Sequence, residues 1–243
     1  MKVSTLFNSK RTDNAPNVIV MQAPEIDPAI LRIAPRLPRK VLEEALAANM
    51  DLASYGWCTP KKAAALAQSI YDIRPNLVVE IGIFGGRSLL PIAVSMKYLG
   101  QGVVYGIEPW SNSVAVEVPT NPTNDEWWST VDLNAVKRAC FEHLLKYDVI
   151  GQAKILECRS TEAFMFLNGK IDMIHVDGNH SAEQALDDVK IAYNAVMSRG
   201  HIWMDDIRWE SVKPAMRFLY DNCETVCEYD EPGCAYGLYR KKC

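Results

Sequence analysis

The chain has 243 residues, of which 49% are apolar and 23% charged, a balance that suits one large α/β domain or two small ones. A net charge of −4 gives no general electrostatic reason to bind nucleic acid or an anionic membrane. No apolar run is long enough to cross a bilayer, and the start, "MKVSTLFNSKRTDNAP", has none long enough for a signal peptide, so a cytoplasmic protein is expected. Seven cysteines with no CxxC pair read as reduced thiols. Cys223, Cys227, Cys234 and Cys243 cluster near the C-terminus, but no histidine accompanies them, which argues against zinc.

Residues 1–58 carry Pro16, Pro24, Pro28, Pro35 and Pro38 and read as an N-terminal arm, with one helix expected in "PRKVLEEALAAN" where Val41, Leu42, Ala45 and Leu46 share a face. Such an arm would pack on the main domain or on a second copy of the chain. Residues 59–243 read as the main domain. Thr59-Pro60 starts a helix, "NLVVEIGI" is a buried strand, and "GGRSLLPIAVSMKYLG" returns as a helix. Strand, helix, strand and short helix follow in "GVVYGIE", "LNAVKRACFEHLLKYDV", "AKILE" and "TEAFMFLN". "IDMIHVD" is a strand, and "SAEQALDDVKIAYNAVMS" is a helix opened by Ser181 and Gln184 in capping-box spacing. "HIWMDD" is a strand and "SVKPAMRFLYDN" a helix. "ETVCEYD" and "CAYGLYRK", separated by Pro-Gly, suggest a hairpin whose last strand is antiparallel. The order predicts a Rossmann-like open sheet of about seven mostly parallel strands, with helices on both faces.

In such a sheet, ligands bind beyond the carboxyl ends of the strands. Four tips here carry acids: Glu80, Glu108, Asp177 and the pair Asp205-Asp206. The first tip, "EIGIFGGRS", joins strand to helix through glycines that let a ligand approach the backbone and the free amides of a helix start. The spacing is not GxGxxG, so a dinucleotide is not specifically indicated. Glu108, ending the second strand, is placed to hold both hydroxyls of a ribose.

These motifs resemble class I S-adenosylmethionine-dependent methyltransferases. "VVEIGIFGGRS", with Glu80, Gly82, Gly86 and Ser88, is similar to their first motif as found in catechol-type O-methyltransferases, and "VVYGIEPW" to the second, with Glu108 as ribose binder. "IDMIHVDGNH" and "GHIWMDD" resemble the strands that hold a divalent metal in metal-dependent O-methyltransferases. The closest resemblance is to the branch containing macrocin-type sugar O-methyltransferases, over roughly residues 55–240. It implies S-adenosylmethionine on Gly82–Gly86 and Glu108, with Ser160 on the adenine side and Asp177 nearby. It also implies Mg²⁺ on Asp177, Asp205 and Asp206, oxygen ligands that suit a hard cation. His180, three residues after Asp177, stands where the catechol enzymes keep a lysine base, and an imidazole can take a hydroxyl proton near neutral pH. The other reading of His180 is a helix cap, and that of "DD" is a cap with a salt bridge to Arg208. His175 and His201, inside strands, read as packing residues.

The acceptor is expected to be a small molecule, a sugar-containing metabolite first and a phenol or catechol second. Trp110, just before the long connection 111–130, and Trp127 and Trp128 within it could line its pocket. Two readings from other classes are a nicotinamide-dependent oxidoreductase, disfavoured by the missing GxGxxG, and a non-catalytic nucleotide-binding subunit.

Overall fold

The structure is a computed structural model that describes residues 26–167 and 170–243, so the first part of the expected arm lies outside the described residues. Seven strands form one open sheet: β1 (Leu77–Ile81), β2 (Val103–Ile107), β3 (Ala153–Leu156), β4 (Ile171–Val176), β5 (Val196–Met204), β6 (Cys223–Glu231) and β7 (Cys234–Lys241). Their order is β3-β2-β1-β4-β5-β7-β6. Strands β1 to β5 pair in parallel, and β7 runs antiparallel to both β5 and β6, as the Pro-Gly hairpin predicts. The chain order reverses between β1 and β4, which puts the ligand crevice between them.

Ten helices cover the described part of the sheet: α1 (Pro28–Ile33), α2 (Arg39–Asp51), α3 (Pro60–Ile73), α4 (Leu89–Leu99), α5 (Asn112–Ala115), α6 (Pro122–Thr130), α7 (Leu133–Lys146), α8 (Ser160–Phe166), α9 (Ala182–Ala195) and α10 (Lys213–Asn222). Alternation along the strands divides the core in two. Val78, Val104, Met173 and Trp203 face a layer that includes α2, α3, α4 and α7, whereas Val79, Ile107, Ile174 and Ile202 face α9 and α10. The apolar face of α2 is spent on the first layer, with Val41, Leu42, Ala45 and Leu46 all buried there. Helix α3 begins as its sequence dictates: Thr59 Oγ1 accepts from Lys62 N at 3.1 Å, and Pro60 fills the first position, where no amide is needed.

Three local expectations change. The helix expected to reach Ser198 ends at Ala195, and β5 starts at Val196, not His201. The cause is an irregularity in pairing with β4 between Ile171 and Met173, with Arg199 at φ 62 beside Gly200, whose missing Cβ would lie 2.5 Å from Val196 Cγ2. Residues 111–130 are not a bare connection but carry α5 and α6; Asn121 caps α6 by accepting from Asn124 N at 3.0 Å, ahead of Pro122. The capping box on α9 is half made. Ser181 Oγ accepts from Gln184 N at 3.3 Å, but the Gln184 side chain turns to Asp188.

Because α2 shares a core with the sheet, Leu42→Ala is expected to lower global stability by about 2–5 kcal/mol without adding a second transition. Denaturant unfolding followed by circular dichroism and by tryptophan fluorescence checks this. A separate early transition would mean that α2 unfolds independently of the sheet.

Candidate active site

A cleft of about 470 Å³ opens at the carboxyl ends of β1, β2, β4 and β5, within the range of small-molecule sites. One wall is the turn after β1. Gly82 has φ 80, and a Cβ there would lie 2.1 Å from the Asp177 carbonyl oxygen, so the tips of β1 and β4 touch only because residue 82 is glycine. Gly86 has φ 86, and a Cβ would meet Cys140 Sγ at 2.9 Å. Glu80 and Ser88 turn toward each other beneath this turn. Ser88 Oγ donates to Glu80 Oε1, which also lies 2.9 Å from His175 Nδ1. His175 is therefore more than the packing residue its place in a strand suggests.

Glu108 closes the turn from the β2 side. Its carboxylate accepts from the Phe84 amide at 3.0 Å and from the Trp110 amide at 3.1 Å. Burial pushes its pKa up, and the two amides partly offset this. Trp110 is buried, its indole donating to the Phe84 carbonyl at 2.9 Å, and it fixes the turn instead of lining the cleft. Farther along, Ser160 Oγ donates to Asp188 Oδ1 at 2.7 Å, and Gln184 adds a bond at 3.2 Å. Burial lifts the Asp188 carboxyl to about 6 against these two donors. Asp188 and Gln184 line the cleft with Ser160; the sequence marked Gln184 only as a capping residue and Asp188 not at all.

The second half of the cleft is the tip of β4. Asn179 is structural here: its Oδ1 accepts from the Ser181 amide at 2.7 Å, and its Nδ2 reaches the carbonyls of Ala115 and Val118. Helix α9 is capped by Ser181, so His180 is free of that duty and faces the cleft. Its Nε2 lies 2.9 Å from Asp206 Oδ2, without the alignment of a hydrogen bond, and its ring packs on Trp209 at 4.9 Å between centroids. Burial lowers the imidazole pKa, but Asp206, aided by Asp177 and Asp205, outweighs it and holds the value above the usual one. Arg208 does not pair with the "DD" tip; it bonds Asp230 at 3.1 Å.

Aromatic rings form the outer rim. Trp57, Phe84, Trp127 and Trp128 pack together, with Trp57 and Phe84 stacked at 5.4 Å and 28°. Of the three tryptophans expected at the acceptor, Trp128 lines the cleft and Trp110 and Trp127 do not. Trp57 and Trp209 take part in their place. Their sequence neighbourhoods carried no motif that would have marked them.

Residues 79–207 match a family model described as a methyltransferase domain, a span of more than half the chain. The chain belongs to this methyltransferase-domain family. Its fold is that of solved methyltransferases. TomG, an O-methyltransferase of Streptomyces achromogenes involved in tomaymycin synthesis and solved with S-adenosylmethionine, aligns with a TM-score of 0.58 at 14% identity, covering 90% of this chain and 92% of that one. S-adenosylhomocysteine-bound PaMTH1 of Podospora anserina gives 0.57 at 15% identity, covering 85% and 89%. An O-methyltransferase of Bacillus cereus with S-adenosylhomocysteine gives 0.56 at 13%, covering 86% and 96%. A search of the curated proteins gives no match. No helix among the described residues is long and apolar enough to cross a membrane.

For a methyltransferase-family chain, two bound groups need testing against the residues present. S-adenosylmethionine fits: Gly82, Ile83, Phe84 and Ser88 of the glycine turn line the cleft, and Glu108 stands at the second strand tip on the same cleft. Magnesium does not fit the three aspartates. Asp206, at φ 50, turns onto His180. Asp177 Oδ2 and Asp205 Oδ2 instead grip the Nζ of Lys62, which lies 3.0 Å from the former and hydrogen-bonds the latter. Lys62 is fully buried, and the two carboxylates hold its pKa well above the usual lysine value despite that burial. Within the pair, burial and the Asp205 charge push Asp177 up, while Lys62 overcomes burial to hold Asp205 down. Among the described residues, Glu80, His175 and Asp177 make the one group of acid and histidine atoms close enough for a metal. Two of the three, Glu80 and His175, are already bonded to each other.

Glu108→Ala is expected to weaken S-adenosylhomocysteine binding by roughly 10- to 100-fold, the worth of hydrogen bonds to a charged group of about 1.5–3 kcal/mol. Calorimetric titration of wild type and variant measures it, and equal affinities would remove Glu108 from the cofactor site.

Proposed function

We propose that this protein transfers the methyl group of S-adenosylmethionine to a hydroxyl of a small-molecule acceptor. The observation that carries this reading is the shared cleft. The glycine turn and Glu108 on one side, and His180 on the other, open onto one enclosed space. The Asp188, Ser160 and Gln184 cluster marks the adenine side, and Glu108 the ribose side. Bound there, S-adenosylmethionine supplies a methyl group on a sulfonium, ready for attack by oxygen.

The chain's own residues do the rest. His180 takes the proton of the acceptor hydroxyl at Nδ1, the ring nitrogen turned away from Asp206, and Asp206, 2.9 Å from Nε2, stabilises the imidazolium that results. Trp209 limits the tilt of the ring. Trp57, Phe84 and Trp128 shield the acceptor from water and align it, a contribution of position more than of chemistry. A sugar-containing metabolite is the first acceptor class, since flat aromatic faces pack against the C–H faces of a pyranose. A phenolic acceptor is the second, favoured by the stacked Trp57–Phe84 pair, against which another ring could lie. The magnesium ion implied by the sequence resemblance has no step in this scheme, because Lys62 and His180 engage its three aspartates.

The reading is tested by binding first and transfer second. Wild type should bind S-adenosylhomocysteine, and a panel of glycosides and phenols assayed with methyl-labelled cofactor should yield a labelled ether. No nucleoside binding would sink the proposal, and label on nitrogen or carbon would correct its acceptor atom. His180→Ala should lower the turnover number by about 10²–10⁴-fold while leaving nucleoside affinity unchanged. The pH dependence has a definite sign. His180 must be neutral to accept a proton, and its pKa is raised, so kcat/KM should climb with pH through a limb above the ordinary histidine value. Asp206→Asn removes the largest raising influence and should move that limb to lower pH. A limb unmoved by Asp206→Asn would exclude His180 as the titrating base.

A further inference from the structure

Asp177 and Asp205 follow the aligned pair Val176 and Met204 on neighbouring parallel strands, so their carboxylates emerge side by side. Two such acids in a buried crevice need a cation between them. The first turn of α3 provides one. Thr59 caps that turn, which fixes Lys62 at its third position, and the Lys62 side chain runs inward with no exposed surface. Its ammonium meets both acids at once, bonding Asp177 Oδ2 at 3.0 Å and Asp205 Oδ2. The amides at the start of α3 add positive potential at the same place.

We propose that the Lys62 ammonium is a built-in replacement for a divalent cation, so that this methyltransferase works without a metal; the inference rests on the methyl-transfer reading above. Asp205 Oδ1 has no partner among the described residues, but a divalent ion held there and on Asp177 would sit within a few ångströms of the Lys62 ammonium, which has no exposed surface. The third acid cannot complete the shell, because Asp206 is engaged with His180. Lys62 is a positioning residue, since its side chain is fully buried and does not line the cleft. It holds Asp177, which lines the cleft, and Asp205 in fixed orientations.

A metal with open positions can hold two neighbouring oxygens of one substrate. A tetrahedral ammonium already bonded to two acids, and buried, cannot. The acceptor therefore does not need a catechol or a vicinal diol: one hydroxyl, oriented by the aromatic rim and deprotonated by His180, suffices.

The test is a Mn²⁺ titration of EDTA-treated protein followed by electron paramagnetic resonance, with S-adenosylhomocysteine affinity measured by calorimetry on the same sample. Wild type is expected to take up no stoichiometric Mn²⁺ even at millimolar metal, with or without the nucleoside. Lys62→Ala, which vacates the space between the two carboxylates, is expected to gain one Mn²⁺ per chain, and Lys62→Ala/Asp205→Asn to lose it again. A stoichiometric Mn²⁺ site in wild type that Asp205→Asn abolishes would overturn the proposal. Should Lys62→Ala not fold, the wild-type titration decides: no uptake supports the built-in cation, and a site lost in Asp205→Asn refutes it. Absence of nucleoside binding would count against methyl transfer and leave the Mn²⁺ result readable on its own. If an acceptor is found, a mono-hydroxyl compound should be methylated as well as its vicinal-diol analogue. A strict need for two adjacent oxygens, with loss of transfer in EDTA, would also refute the inference.

Discussion

Two like charges side by side on adjacent strands are the constraint around which this molecule is arranged. At about 4 Å and an effective dielectric of about 20, two carboxylates repel by about 4 kcal/mol, and burial adds a desolvation cost for each. Lys62 converts that repulsion into attraction, and the chain is organised to deliver it. Thr59 and Pro60 start α3 at a fixed residue, and the buried run Ala63–Ile70 presses that helix on the sheet. One ammonium cannot fully neutralise two carboxylates, and burial with the Asp205 charge pushes the Asp177 carboxyl up. Breaking such a buried set from one side typically costs about 3–5 kcal/mol, since it strands a charge. The same cluster therefore serves stability and sets the floor of the cleft.

The second constraint is close backbone approach at the point where the sheet order reverses. Gly82 allows the tips of β1 and β4 to touch, and the turn that lines the cleft starts from that contact. Glu108 then ties the glycine turn to β2 through two backbone amides, so the carboxylate proposed to hold the cofactor also sets the geometry of the loop. Glu80, Ser88 and His175 form the layer beneath. Glu80 Oε2 and His175 Nε2 find no partner among the described residues, so this layer keeps polar capacity under the turn.

Much of this architecture was legible in the sequence because it depends on local periodicity and on residues with one physical use. Apolar runs of strand length, glycines at positive φ, a Thr-Pro helix start and Pro-Gly between two strand-like runs each have a single structural reading. The acids at the strand tips were legible for the same reason, and the cleft brings Glu108, Asp177, Asp205, Asp206 and His180 together. What escaped is what depends on distant partners. "KK" at the start of α3 looks like a solvated first turn, and nothing local shows that Lys62 will bond acids 115 and 143 residues away. The metal-binding expectation for three aspartates failed to allow for that lysine. The β5 irregularity was hidden because "VMS" extends a good helical pattern, and pairing with β4, not propensity, ends the helix. Trp57 and Trp209 were missed because a lone tryptophan has no spacing signature, whereas Trp110 drew attention by adjacency to Glu108 and is in fact a buried prop.

The placement of Trp57, Cys58 and Lys62 gives the segment before the sheet a functional meaning. The stretch joining α2 to α3 lies along the cleft, with Tyr55 packed over Gly85, where a Cβ would meet the Tyr55 carbonyl at 2.4 Å. Asn49 reinforces the seam, donating to the carbonyls of Cys58 and Arg87 at 3.0 Å, and Arg87 returns a bond to the Gly56 carbonyl at 2.7 Å. The wall that would hold the acceptor and the ammonium that fixes the acids are thus carried by one continuous piece of chain, bonded to the loop that would hold the cofactor. Any rearrangement of the α2–α3 connection must disturb both halves of the site together. This coupling is what a transfer reaction requires, because the methyl donor and the acceptor oxygen have to be held in line at the same moment.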